Sequence, residues 1–338
     1  MKILVMGTGP FVLPSFEKIV ASCDHTVCGV ITRPEVARRR GKKRPPQPMR
    51  LAAERHNLLV ESPASINSPE AHAIINNLSP DLFFVCDYGQ ILSSATLALA
   101  PLGGINLHGS LLPKYRGAAP VNWAIYNNDP TTGVTVIHMT PKLDGGPCLE
   151  KVETPIAPDE TAPDLEDRLS NLGVEAVLRS LNLLDQWDRT SPIGEIQDSH
   201  QATDAPRLTK EMGKVDWTNS ATRLYHQYRA FQPWPGMFTH WLRRDGQPLR
   251  LNLIEVAISP LPEETTADIN TRNLEGGRGI VVGKRLFIST GDSKEDQNCL
   301  EIKMVQPIGK KPIPIGPFLN GYRIKSGDKF GESSPKKP

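Results

Sequence analysis

The sequence predicts an α/β protein in which a doubly wound, mostly parallel sheet is followed by a smaller β domain. Two observations lead to this class. In the first half of the chain, strand-like and helix-like runs alternate, and the runs at 2–7, 26–32 and 81–86 are apolar on both faces, as strands between two helix layers are. After about residue 207, short strand-like runs with Gly and Pro turns replace this alternation, which is typical of a small barrel or sandwich.

The strands of the first part are apolar or alternating runs bounded by turn residues, predicted at 2–7, 26–32, 57–62, 81–89, 103–109, 133–140 and 149–156. Helices are predicted between them, at 11–22, 47–56, 68–78, 93–100 and 119–128. A long amphipathic helix is expected over 162–187, where Leu165, Leu169, Leu172, Val177, Leu181 and Leu184 recur near helical spacing.

The change of pattern predicts two domains. We expect a first, Rossmann-like domain over 1–189, a polar linker over 190–207, a C-terminal domain over 208–330 and a flexible tail over 331–338. The C-terminal domain should begin with a helix near 220–231 and continue as short strands.

Charge is distributed unevenly along the 338 residues, although the net charge is only +2. Residues 33–50 carry a net charge of +7 and residues 303–338 a net charge of +6, so the rest of the chain is acidic. Two concentrated basic segments on an acidic body favour a polyanionic partner.

Other features exclude whole classes of protein. No apolar run reaches 18 residues, so we expect no transmembrane helix and no membrane partner. The five cysteines include no CxxC pair, which favours free thiols in the cytoplasm over a disulfide framework or a metal site. Gly7 and Gly9 follow the first strand as in a Rossmann-like turn, but Val12 occupies the third glycine position, so a nicotinamide cofactor is not expected.

The segment "GGINLHGSLLPKYRGAAP", residues 103–120, carries the first candidate site. Side chains alternate along a strand, so Asn106 and His108 share one face at the strand's carboxyl end, where open parallel sheets bind ligands. Both could simply cap the strand. The loop that follows is long and stiffened by proline. A loop of this kind is unusual for a connection with a purely structural role, so it favours a functional role for this segment.

Asp144, in "LDGGP", follows a later strand and could be an ordinary turn residue. Together with Asn106 and His108 it would suit acyl transfer to an amine. The amide donates to an oxyanion, the imidazole titrates near neutrality, and the carboxylate orients the imidazole. Such chemistry requires no nucleophilic Ser or Cys, and Ser110 has no evident activating base.

The basic run "RRRGKKR", 38–44, follows the second strand and should hang over the same edge of the sheet. It could be a solvated surface loop, but its clustered charge also suits phosphates.

These residues identify a resemblance. "INLHGSLLPKYRGAAPVNWAI" with "LDGGP" resembles the folate-dependent formyltransferases. The basic insertion and the segments "PRLTKEMGKVDW" and "VQPIGKKPIPIGPFLNGYRIKSGDKF" narrow the resemblance to the members that act on methionyl-tRNA. It covers residues 1 to about 330.

The resemblance implies that a formyl group moves from 10-formyltetrahydrofolate to the α-amino group of initiator methionyl-tRNA, without a metal. We expect the enzyme to be a cytoplasmic monomer. The resemblance also implies an OB-like barrel for the C-terminal domain and a catalytic trio of Asn106, His108 and Asp144. Its implied folate-binding residues are Tyr88, Gly89, Gln90, Ile91, Leu92, Ser110, Leu111, Leu112 and Pro113. Its implied tRNA-binding residues are Arg38, Arg39, Arg40, Lys42, Lys43, Arg44, Lys310 and Lys311.

Two departures from the family pattern keep alternatives open. The first turn reads "GTGPF" instead of "GTP" with an acidic residue, and Asn122-Trp123 stands where Gln-Arg is usual. Asn122-Trp123 resembles formyltransferases that act on nucleotide amino-sugars, and an inactive RNA-binding relative is the third interpretation.

Overall fold

A computed structural model describes residues 1–35, 47–260, 275–293 and 298–331. The chain divides into two compact units. The first holds Met1–Ala124 and Asp129–Arg207, and the second holds Ile125–Asn128 and the described residues from Leu208 onward.

The first unit is built on a seven-stranded sheet with the order β3-β2-β1-β4-β5-β7-β8. Its strands are β1 (Lys2–Gly7), β2 (Thr26–Ile31), β3 (Val60–Glu61), β4 (Leu82–Cys86), β5 (Gly104–His108), β7 (Thr131–His138) and β8 (Cys148–Pro155). The neighbours from β3 to β5 are parallel, whereas β7 is antiparallel to β5 and β8 is antiparallel to β7. The predicted doubly wound α/β class is confirmed.

The helices of this unit are α1 (Leu13–Val20), α2 (Pro48–Arg55), α3 (Pro69–Leu78), α4 (Ser94–Leu97) and α6 (Ala162–Asp185), together with all but the last two residues of α5 (Pro120–Tyr126). Helix α6 begins at a capping box formed by Thr161 and Asp164, and it packs against α1, β7 and β8. At Gly173 it comes so close to β5 that a Cβ atom would lie 2.8 Å from the Leu107 side chain. The strand that carries Asn106 and His108 is therefore packed closely against α6.

The predicted strand 81–89 ends at Cys86, three residues early. Asp87 has a φ of +48° and Gly89 has a φ of +77°, which an extended strand cannot accommodate. The chain turns here, at the carboxyl end of the sheet, and leaves residues 87–92 as a loop.

Residues 190–207, predicted as a linker, lie in the first unit. Glu195 exchanges backbone hydrogen bonds with Cys148, and the short strand β9 (Asp204–Ala205) pairs with β6 (Arg116–Gly117). A 3₁₀ turn covers Ser199–Gln201 between these two attachments.

The second unit is an antiparallel half-barrel with the strand order β12-β13-β14-β11-β10-β16 and with β15 paired to β14. Its strands are β10 (Met237–Leu242), β11 (Pro248–Pro260), β12 (Gly279–Val282), β13 (Arg285–Ser289), β14 (Asn298–Pro307), β15 (Ile313–Pro314) and β16 (Lys329–Phe330). A 3₁₀ turn at Lys210–Gly213 and the helices α7 (Ala221–Ala230) and α8 (Ile315–Tyr322) complete it. Its core includes Trp217, Leu224, Trp241, Phe318 and Phe330.

None of the helices in the described ranges has the length and hydrophobicity needed to span a bilayer. The basic residues Arg38, Arg39, Arg40, Lys42, Lys43 and Arg44 lie outside the described residues, as does the predicted tail beyond residue 331.

Candidate active site

A cavity of about 650 Å³ opens at the carboxyl ends of the parallel strands of the first unit. The loop after β4 and the loop after β7 form much of its wall. Asn106, His108 and Asp144, which the sequence predicts as a catalytic trio, all line it.

His108 is buried at the end of β5, and hydrogen bonding orients its ring. With Nε2 donating to the Tyr115 carbonyl at 2.8 Å, Nδ1 is the nitrogen that faces Asp144. The distance from His108 Nδ1 to Asp144 Oδ2 is 3.8 Å. This separation suits an ion pair when the imidazole is protonated.

Asp144 is held in place by backbone geometry. Its φ is +46°, and its Oδ2 accepts a hydrogen bond of 2.8 Å from the Gly117 N–H. Gly117 has a φ of +128°, and a Cβ atom there would lie 2.6 Å from the Ala205 carbonyl oxygen. Only glycine fits at this donor position.

Asp144 lies near His108 because the loop after β7 turns back along the sheet. Because β7 is antiparallel to β5, its last residue, His138, pairs with Ile105 at the beginning of β5. The loop of residues 139–147 extends back towards the carboxyl end of β5, so that Asp144 lies near His108, and it then returns to His138, whose N–H donates to the Pro147 carbonyl. At the close of this loop, Gly146 packs so tightly that a Cβ atom would lie 1.8 Å from the His138 carbonyl oxygen.

Asn106 lies in the middle of the sheet, with Val85 of β4 on one side and Ile137 of β7 on the other. It is half-buried and lines the cavity. Within the part of the chain that the structure describes, its side-chain amide makes no hydrogen bond. The amide can therefore donate to a ligand in the cavity.

The loop after β4 brings its predicted folate-binding residues to the same cavity, namely Tyr88, Gly89, Gln90, Ile91 and Leu92. Ile91 is 62% exposed, and Leu143 on the facing loop is 54% exposed, so the wall offers apolar surface to a ligand. Burial raises the pKa of Tyr88 to about 12, so its phenol stays protonated at neutral pH.

The other predicted folate-binding residues, Ser110, Leu111, Leu112 and Pro113, are not brought to the lining of this cavity. The buried Ser110 hydroxyl donates to the Lys114 carbonyl at 2.6 Å, and the Leu112 N–H donates to Thr135 at 3.0 Å. These hydrogen bonds fix the conformation of the loop that follows β5. Leu111, Leu112 and Pro113 line a second cavity of about 450 Å³.

Sequence reasoning missed several groups around the trio. The side chain of Gln197 donates hydrogen bonds to the main-chain carbonyls of Asp144 and Gly146. Gln197 lies in the predicted linker, and no local sequence pattern marks it. Asp87 and Glu166 also line the cavity.

Both of these carboxylates reach the solvent of the cavity, yet the surrounding protein removes part of their hydration. This desolvation raises the pKa of Asp87, against the opposing charge of Arg33 and a hydrogen bond from Gly9. Desolvation also raises the pKa of Glu166, and the negative charge of Asp87 adds to the effect.

The predicted tRNA-binding residues Lys310 and Lys311 belong to the second unit. Both are exposed in the turn that joins β14 to β15.

Comparison with known families covers nearly the whole chain. The family model described as formyl transferase matches residues 1–181, and the model described as formyl transferase, C-terminal domain, matches residues 207–323. The methionyl-tRNA formyltransferase of Rhodopirellula baltica is 43% identical, with 98% of this chain and 96% of the relative covered. The methionyl-tRNA formyltransferase of Geobacter sulfurreducens is 36% identical, with 98% of each chain covered.

Solved structures share the fold at lower identity. An N-formyltransferase from Helicobacter canadensis, solved with folinic acid and dTDP-3-aminofucose, has a TM-score of 0.62 at 16% identity, covering 91% of this chain and 99% of that one. HypX from Aquifex aeolicus, solved with tetrahydrofolic acid, has a TM-score of 0.58 at 16% identity, covering 95% of this chain and 47% of that one.

Proposed function

The chain belongs to the methionyl-tRNA formyltransferase family, and we propose that Asn106, His108 and Asp144 catalyse its formyl transfer. The enzyme transfers a formyl group from a folate donor to the α-amino group of methionyl-tRNA. The observation that carries the catalytic assignment is the convergence of these three side chains on one cavity at the carboxyl edge of the sheet.

The three side chains divide the chemistry between them. The neutral amine attacks the formyl carbon, and negative charge develops on the formyl oxygen. The Asn106 amide donates to this oxygen, and a protonated His108 donates to it through Nδ1. Asp144, 3.8 Å from Nδ1, balances the charge of the imidazolium and helps to relay the proton that leaves the amine. When the tetrahedral intermediate collapses, the bond between the formyl carbon and the folate nitrogen breaks. The relayed proton passes to that nitrogen, and tetrahydrofolate leaves.

The cavity suits a folate in both size and surface. A volume of about 650 Å³ accommodates a drug-sized ligand, and the exposed Ile91 and Leu143 offer apolar contact to an aromatic ring system. We infer that residues 88–92 bind the pterin and that the donor is 10-formyltetrahydrofolate. Folate ligands in the solved relatives support this inference. A direct contact with residues 110–113 stays a prediction.

The partner is initiator methionyl-tRNA, held by phosphate contacts. Lys310 and Lys311 project from an exposed turn, and the basic run 38–44 carries the densest positive charge in the sequence. Such contacts neutralise phosphates and make binding dependent on salt. From this partner we infer that the enzyme acts in the cytoplasm, where translation initiates. Its action as a monomer stays a prediction that light scattering would check.

The test is formyl transfer from 10-formyltetrahydrofolate, with methionyl-tRNA and a nucleotide amino-sugar as parallel acceptors. We expect turnover on the charged tRNA alone. Turnover on the sugar alone would overturn the proposal. It would mean that Asn122-Trp123 indicated the acceptor correctly. Tight tRNA binding without turnover of either acceptor would indicate an inactive RNA-binding relative.

A further inference from the structure

We propose that Gln197 is a positioning residue for catalysis, which holds the Asp144 loop at the distance from His108 that the reaction requires. Gln197 lies 53 residues after Asp144 in sequence. It lies in the segment that attaches to the first unit through Glu195 and through β9. The inference rests on the proposed role of Asp144 in formyl transfer.

The side-chain amide of Gln197 makes four hydrogen bonds. Its Nε2 donates to the Asp144 carbonyl and to the Gly146 carbonyl, each at 2.7 Å. Its Oε1 accepts from Nε and Nη2 of Arg116, at 3.1 and 2.6 Å. Two donors and two acceptor positions are the full capacity of a carboxamide, so every one is used.

This pattern also fixes the orientation of the amide. If the amide were turned over, its oxygen would face two carbonyl oxygens and its NH₂ group would face the Arg116 guanidinium. Both contacts would be repulsive, so only one orientation is compatible with these neighbours.

Hydrogen bonds therefore hold both the main chain and the side chain of Asp144. Gln197 fixes its main-chain carbonyl, while the N–H of Gly117 fixes its carboxylate at 2.8 Å. Arg116 directly precedes Gly117 and contacts Gln197, so both contacts belong to one connected network. Asp144 has a left-handed φ of +46°, a conformation that a free loop seldom keeps without such support.

The informative variant is Gln197→Glu, which keeps the size of the side chain and its contact with Arg116 but has no N–H group. The carboxylate would repel the carbonyls of Asp144 and Gly146, and the loop should move away from His108. A displacement near 1 Å can lower a rate by about 10²-fold. We expect kcat to fall by about that factor while KM for methionyl-tRNA changes less than about threefold.

The matched control is Gln201→Glu, four residues further along the same segment. Gln201 is exposed, and its Nε2 donates to Asp198 at 2.9 Å rather than to the Asp144 loop. The same chemical change at Gln201 places a carboxylate beside Asp198, but both side chains are exposed and can separate in solvent, so kcat should stay nearly unaltered.

A double-mutant cycle with Asp144→Asn separates positioning from a merely structural role. If Gln197 acts through Asp144, Gln197→Glu should lower kcat less than about threefold further in an Asp144→Asn enzyme. An equal loss in both backgrounds, or a folded Gln197→Glu enzyme with full kcat, would overturn the inference.

Two further results keep the test decisive. If Gln197→Glu does not fold, Gln197→Asn retains the uncharged amide on a side chain one methylene shorter, and the same cycle applies to it. If Asp144→Asn alone keeps the full rate, the catalytic role proposed for Asp144 fails, which is a different result from the failure of Gln197.

Discussion

Replacement of Gly146 by alanine should displace the loop that carries Asp144 without removing any functional group. Gly146 lies two residues after Asp144, and a Cβ atom there would lie 1.8 Å from the His138 carbonyl oxygen. That oxygen belongs to the last residue of β7, whose N–H is in turn bonded to Pro147. The added methyl group therefore meets main chain that the sheet holds in place, and the loop has to move.

The size of the movement follows from the contact. The methyl group must recede by about 1.2 Å to reach 3.0 Å, below which real Cβ atoms essentially never approach another atom. Much of this shift should pass to Asp144, whose carboxylate is 3.8 Å from His108. Since misplacement by 1 Å can cost about 10²-fold, we expect kcat to fall by roughly 10²-fold.

The assay is steady-state formyl transfer to methionyl-tRNA, corrected for the folded fraction by thermal unfolding. Gly145→Ala is the control. A Cβ atom at Gly145 would lie 2.8 Å from the Lys142 side chain, which is exposed and can move aside. This neighbouring variant should therefore retain nearly full activity.

Two results would refute the reasoning. A Gly146→Ala enzyme with unchanged kcat would mean that the loop absorbs the strain without moving Asp144. An equal loss in Gly145→Ala would mean that the loop responds to any added bulk and that the contact with His138 has no special role.

Three other predictions address the Asn106 amide, the tRNA-binding surface and the pH dependence of stability. Asn106→Ala should lower kcat by about 10²–10³-fold with KM for methionyl-tRNA nearly unchanged, because it removes the donor that we propose for the formyl oxygen; a full rate in steady-state kinetics would refute the assignment. Replacing Lys310 and Lys311 together by Gln should weaken tRNA binding and reduce the slope of log affinity against log salt by roughly 1 to 2, as filter binding would measure. Burial, together with Arg229 and Arg223, lowers the pKa of His226 from 6.5 to about 4, so the unfolded chain binds a proton in this range while the folded protein does not. The free energy of unfolding should therefore fall as the pH drops from 6.5 to 4, and His226→Gln should flatten that part of the curve in denaturant titrations.

The class of the fold could be predicted because it depends on local patterns. Apolar runs such as those at 2–7 and 81–86 indicate buried strands, and the structure confirms the α/β sheet followed by an antiparallel half-barrel. The end of β4 was predicted three residues late. The left-handed conformation of Asp87 is the physical reason, and the apolar pattern does not reveal it.

The placement of the candidate site residues was predictable to a similar extent, whereas their catalytic roles stay a prediction. Alternation along β5 put Asn106 and His108 on one face at a strand end, and both line the cavity. Ser110 illustrates the limit, since its hydroxyl bonds the Lys114 carbonyl inside the loop instead of lining the cavity. Which way a loop residue points depends on contacts that the local sequence does not specify.

The sequence by itself determined which residues form strands and which side chains share a face, because periodicity is a property of neighbouring residues. Only the tertiary structure decided that β7 runs antiparallel to β5, so that Asp144 must return along the sheet to reach His108. Only the tertiary structure brought Gln197 to the carbonyl of Asp144, 53 residues earlier in the chain. These contacts arise from long-range packing and hydrogen bonding, in which a residue's partner is set by the path of the whole chain.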